Sequence, residues 1–204
     1  AVWCNMGKEH TGSEQKMKYI SKGIVIKDST EDLLFVTHNG IDFQLTGEQA
    51  ALWLNGRFGF AKTRKTVLEE KALRQLVRQG LVEIAEGDGS VFEYRALTQC
   101  ILVPAKSRSS CTMLSAMQKE LLSWMSKAGL RLTVAELVFL AEHGIAPAAH
   151  LLGAGNRQAL TEMIYTQDTI FDNILEAQME HAAMRDEVVS ALLKLLKKKK
   201  ILLL

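Results

Sequence analysis

The sequence predicts an α+β, mainly helical protein, and three observations carry that prediction. Short β-branched and apolar runs crowd residues 23–45. Helical and alternating patterns are interleaved across residues 47–104. From residue 112 onward the apolar spacing is helical almost to the end.

Residues 1–22 are polar and dotted with glycine, with no apolar core of a leader peptide, and read as a flexible lead-in. GIVIKD (23–28) and LLFVTH (33–38) read as strands, and Asn39-Gly40 reads as a tight turn into IDFQL (41–45), because both residues tolerate positive φ. Together they predict a three-stranded meander over about 24–45. Thr46 followed by Gln49 has the spacing of a capping box ahead of a helix over 47–55. Helix 66–79 has the clearest period: Leu68, Ala72, Leu73 and Leu76 on one side, Lys71, Arg74 and Arg78 opposite, and Gly80 as the stop. LVEIAE (81–86) and VFEYRAL (91–97) alternate around Gly87-Asp88-Gly89-Ser90 and read as a hairpin. CILVP (100–104) continues as a strand.

Residues 105–111, AKSRSSC, are small, polar and basic, and are the expected linker between a unit at 23–104 and one at 112–204. In the second unit helices are expected near 112–128, 133–143, 147–152, 156–166, 168–184 and 186–199. The tail SALLKLLKKKKILLL (190–204) reads as a helix whose lysines suit its C-terminal dipole, followed by a strand. FQLTGEQAALWLNG (43–56) and LRLTVAELVFLAEHG (130–144) share Leu-Thr, an acid soon after, an apolar helix and a glycine, and the helix-to-strand order of 66–84 recurs in 189–204. A faint internal duplication is one reading; common capping chemistry is the other.

The 204 residues carry a net charge of only +2, which excludes a histone-like polycation. The three cysteines (Cys4, Cys100, Cys111) form no CxxC pair, and an odd count suits reduced thiols, so a cytoplasmic location is expected. No apolar run approaches the ~18–20 residues of a spanning helix, so no membrane span is expected. The histidines are scattered and no nucleophile–base or paired-carboxylate constellation stands out. The expectation is therefore no metal, no cofactor and no enzymatic activity.

The string LRQLVRQGLVEIAEGDGSVFEYRALT (73–98), together with helix 47–55 and the basic connection before helix 66–79, resembles a winged helix-turn-helix domain of the bacterial transcriptional-regulator type. The resemblance covers residues 45–100. It implies an N-terminal winged helix-turn-helix with a preceding β-meander, joined to a C-terminal all-helical domain. It also implies helix 66–79 as the recognition helix in a major groove and hairpin 81–97 as the wing. Double-stranded DNA would be the partner, with Lys71, Arg74 and Arg78 on the groove-facing side. Arg57, Lys62, Arg64 and Lys65 would meet phosphates, and Arg95 is the cation nearest the wing tip.

Two features pull the other way. Glu69 and Glu70 occupy the first turn of the helix, and the wing tip carries Glu86 and Asp88. A protein-interaction adaptor on the same fold, binding an unknown protein partner through the acidic wing and the apolar tail, is the alternative. Residues 107–204 hold 11 Lys/Arg against 10 Asp/Glu, but five of the cations are Lys194 and Lys197–Lys200, leaving 6 against 10. An acidic helical half is a poor nucleic-acid binder, and it is read as the homodimerisation or effector domain.

Overall fold

The structure, a computed structural model, describes all residues except 1–16, 27–32, 65, 106–112, 128–131, 149, 152–156 and 167. It is α+β with helix dominant. Strands β1 (Lys18–Ser21), β2 (Ile24–Val25), β3 (Leu33–His38) and β4 (Ile41–Thr46) lead into α1 (Gly47–Gly56). Then come β5 (Ala61–Lys62), α2 (Val67–Arg78), β6 (Val82–Ala85), α3 (Ser90–Thr98) and β7 (Leu102–Pro104). Helices α4 (Ala116–Lys127), α5 (Val134–Glu142), α6 (Arg157–Ile164), α7 (Asp172–Met179) and α8 (Arg185–Lys197) precede the closing strand β8 (Ile201–Leu203).

The meander forms as expected, in the order β2-β3-β4. Asn39 and Gly40 both take positive φ (51° and 78°), so the two-residue turn matches the right-handed twist of its strands. Alternation buries Leu34 and Val36 on one face. The cap of α1 departs from expectation: Thr46 is the N-cap, but its side chain makes no capping bond. Gln49 reaches instead to Gln75 on α2, at 2.6 Å.

Residues 18–21 are not part of a lead-in. They form β1, the central strand of the sheet β5-β1-β6. Period-two alternation sends Tyr19 and Ile20 to opposite faces, and each face meets a different hydrophobic cluster. Tyr19 joins Leu34, Val36, Leu52, Trp53, Leu73, Leu76 and Val82. Ile20 joins Tyr94, Leu97, Cys100 and Leu102 with the helices of the second half. The chain directly after β1 ties the two together. The Trp53 indole donates to the Lys22 carbonyl (2.9 Å), the buried Lys22 ammonium donates to Glu83 (2.6 Å) and to the Gln99 carbonyl (3.2 Å), and the Gly23 N–H donates to the Leu203 carbonyl (2.8 Å).

The expected wing hairpin 81–97 is corrected: β6 is a strand, but residues 90–98 are helix α3. β6 pairs with β1, Tyr19 with Ile84 and Ser21 with Val82, and its other edge carries no strand among the described residues. The segment after it carries a helical period, Tyr94, Leu97 and Cys100, which packs into the second cluster. Gly87 lies under the Phe92 ring, where a Cβ would sit 2.5 Å from Cε2. The change from one cluster to the other thus comes at α3, ahead of 105–111, and residues 106–111 of that expected linker lie outside the described residues. The helix expected near 147–152 is irregular chain where described, and the one over 168–184 shortens to α7.

The tail forms a helix and then a strand. Leu102 of β7 is flanked by Leu203 of β8 on one side and by Leu132 in an isolated bridge on the other. The two halves therefore share a plan: β1 takes β5 and β6 on its two edges, and β7 takes Leu132 and β8. The ends of α2 and α8 match as well. Leu81 N–H bonds the Leu76 carbonyl (2.9 Å) past Gly80 at φ 72°, and Lys200 N–H bonds the Leu195 carbonyl (3.0 Å) past Lys199 at φ 56°.

Candidate nucleic-acid interface

The exposed face of α2 follows from its wheel. At about 100° per residue, with Ala72 at zero, Leu76, Glu69 and Leu73 fall near 40°, 60° and 100°, and these four are the buried residues. Arg74, Val67, Arg78 and Lys71 fall within about 60° of one another on the opposite side. Leu68 lies near −40°, at the margin, and is 70% exposed rather than in the core as expected; Val67 is 79% exposed. Glu69 takes the inward place. Its carboxylate accepts from the Arg64 backbone N–H (2.7 Å) while the Thr66 hydroxyl accepts from the Glu69 N–H (3.2 Å). One of the two acids expected to face outward from the first turn is therefore buried in the cap. Glu70 remains at the surface, 3.8 Å from Arg74, whose Nε also donates to the Glu70 carbonyl.

The eight cations expected at a nucleic-acid surface do not converge. Lys71, Arg74 and Arg78 share the α2 face, and Lys71 and Arg78 have no ion-pair partner among the described residues. Arg64 is exposed just before the helix. Lys65 lies outside the described residues. Arg57 is stacked instead, its guanidinium carbon 5.5 Å from the Trp53 ring and 4.8 Å from the Phe58 ring, and burial lowers its pKa. Lys62 stands 4.0 Å from Asp88, which also lies 3.4 Å from Lys18, so the acid of the expected wing tip has its own counter-cations. Arg95 makes a bidentate pair with Glu180 (2.8 Å at both nitrogens), which holds its pKa up and commits it to the second half.

Two further regions are concave. A pocket of about 390 Å³ is lined by Glu136, Tyr165, Asp172 and Arg157, with the exposed Ile170 and Phe171 at its edge. The Tyr165 hydroxyl lies within hydrogen-bond reach of both Glu136 and Asp172. A second, of about 430 Å³, lies between residues 58–60 and α8. Nothing in the local sequence signalled either, since their walls come from segments far apart in the chain. Cys100 is buried, and burial pushes its thiol up to about 12, as befits an inert core residue. Among the described residues no group of His, Cys, Asp or Glu is placed to hold a metal ion, and no helix is long and apolar enough to cross a membrane.

Glu136 permits a test by pH. It closes a full capping box with Thr133 at the start of α5. Burial raises its pKa above 4.5, against the opposing bonds from the Thr133 N–H and the Tyr165 hydroxyl. A carboxyl whose folded value is raised stabilises the fold fully below its unfolded value and loses that contribution as pH rises through the folded one. Glu136→Gln keeps an acceptor for the cap and removes the buried charge. Thermal melts from pH 4 to 8 are expected to show Glu136→Gln at least as stable as the native chain near neutrality, with its advantage vanishing toward pH 4. Glu136→Ala is expected to lose about 1 kcal/mol or more throughout.

Compared with known proteins, the chain matches no protein family, no curated protein and no solved structure.

Proposed function

We propose that this protein is a DNA-binding transcriptional regulator that docks the exposed face of α2 in a major groove and acts as a homodimer. The observation that carries the reading is the Lys71-Arg74-Arg78 face, held outward by a fully buried opposite side and braced against α1 through Gln49 and Gln75. The inward turn of Glu69 supports it too, because it removes a carboxylate from the part of the helix that would enter the groove. The helix α3 in place of a wing narrows the reading to a helix-led interface without a hairpin finger. Pairing of two copies is part of the proposal on energetic grounds. Few free cations per chain give little counterion release, and two heads on adjacent half-sites multiply it. The pairing surface would lie in residues 112–204, where Ile170 and Phe171 are exposed.

One observation favours the adaptor reading: Val67, on that helix face, and Leu68, at the margin of the buried arc, are largely bare, as a protein-docking helix would have them. Fluorescence anisotropy with a mixed-sequence duplex at several salt concentrations separates the two. For the native chain log K is expected to fall with log salt. Lys71→Gln with Arg74→Gln and Arg78→Gln should flatten the slope by roughly 3 per bound chain, about 5 for the two heads of a dimer. Absence of salt-dependent binding, or binding that this triple variant leaves untouched, would overturn the DNA reading.

A further inference from the structure

The cleft between residues 58–60 and α8 is the concave site that neither reading uses. We infer that it binds a small organic anion with an apolar body, of the aryl- or alkyl-carboxylate class. At about 430 Å³ it falls within the range of small-molecule sites, and its apolar floor belongs to the second cluster, with Val189 buried there and Phe60 and Leu193 packed against it.

Its walls are built from three elements. Phe58 and Phe60 come from the connection after α1, Ser90 and Glu93 from the first turn of α3, and one face of α8 supplies the rest. Along that face the spacing places Val189 and Leu193 beside the two phenylalanines, with Asp186 toward one end and Lys194 and Lys197 toward the other. The body of a ligand would rest on Phe58, Phe60, Val189 and Leu193.

The charges select the sign of the ligand. Both acids already have counter-cations: Asp186 lies 2.6 Å from Arg185, and Glu93 lies 3.2 Å from Lys18. The cations do not. Lys194 and Lys197 have no carboxylate partner among the described residues. Lys199 stands 5.0 Å from the centroid of the Phe58 ring and Arg57 4.8 Å from it, so two more cations rest on an aromatic ring that itself lines the cleft. The Arg57 Nε is buried with no hydrogen-bond partner. A cleft whose acids are neutralised and whose lysines are free carries an excess of positive charge, and a carboxylate at the Lys194–Lys197 end would meet it. An occupant would also touch both the connection that leads to α2 and the longest helix of the second half. The site is thus suited to an effector, whatever macromolecule α2 meets.

The test uses the full chain and a matched pair of probes, 1-naphthylacetate and the neutral 2-(1-naphthyl)ethanol, followed by titration calorimetry. The acid is expected to bind saturably, one per chain, with Kd below about 1 mM, and the alcohol at least about tenfold more weakly. Lys194→Gln with Lys197→Gln alters exposed side chains only, so its melting temperature should match that of the native chain while its affinity for the acid drops about tenfold or more. Lys71→Gln with Arg78→Gln, on the distant α2 face, should bind the acid like the native chain, and its effect on DNA titrations is separate. No saturable binding of the acid, equal affinity for acid and alcohol, or full binding by the folded Lys194/Lys197 variant would each overturn the assignment.

Discussion

Truncation after Lys200 is expected to abolish the cooperative melt of the native chain or to lower its midpoint by about 10–20 °C. Ile201 and Leu203 are buried, and each is worth about 1.5–3 kcal/mol on area alone, before any cavity term. The truncation also removes the Ile101–Leu204 pair of backbone bonds (2.8 and 2.9 Å) and leaves the Gly23 N–H without the Leu203 carbonyl. Each lost bond adds about 1 kcal/mol, more where a buried group is orphaned. The total exceeds about 5 kcal/mol, against a whole-domain stability of about 5–15 kcal/mol. Circular dichroism melts decide it: a truncated chain melting within a few degrees of the native one would mean that β8 is dispensable. Leu203→Ala is the graded version, expected to cost about 2–5 kcal/mol. Because β8 is core, loss of an interaction upon its deletion would report unfolding rather than a lost docking surface. The apolar tail is therefore no support for the adaptor reading.

What could be read from the sequence was the chemistry confined to a few neighbouring residues. Asn39-Gly40 demands a left-handed pair, and Gly80 demands a helix end, whatever the rest of the chain does. The outward position of Lys71, Arg74 and Arg78 follows from the helical period alone. Three things escaped because a distant partner decided them. Residues 91–97 carry both a period of two and a period near 3.6, and the second cluster, built mostly from residues beyond 120, settled the matter by burying Tyr94 and Leu97. β1 is four residues with a lysine at one end, too short to be marked by pattern. At Leu68 and Glu69 angle outranks hydrophobicity: the wheel puts Glu69 at the centre of the buried arc, and a backbone N–H makes the carboxylate acceptable there. The same limit applied to charge. That Arg95 is basic is plain from the sequence, but Glu180 lies 85 residues away.

Gly23→Ala is the point substitution expected to cost most, and its size can be argued against built-in controls. Gly23 lies at φ 110°, and a Cβ there would meet Val36 Cγ1 at 2.6 Å and the Thr37 carbonyl oxygen at 3.0 Å. Gly40 (φ 78°) and Gly47 (φ 51°) also lie at positive φ, but a Cβ on either meets nothing within 4 Å. Backbone strain alone, about 1–2 kcal/mol, is therefore the expected cost of Gly40→Ala and Gly47→Ala. At Gly23 the same strain is joined by a clash with a buried β3 side chain and with backbone that cannot yield, adding about 1–3 kcal/mol. The position compounds the damage. The Gly23 N–H holds the Leu203 carbonyl, and its neighbour Lys22 accepts from Trp53 and holds Glu83 and Gln99. A shift of the chain at this point loosens the second cluster as well as the first. Urea unfolding should show Gly23→Ala destabilised by about 3–5 kcal/mol, clearly more than either control. Equal losses at all three glycines would mean that φ strain alone sets the cost and that residues 22–23 are not the joint between the two cores.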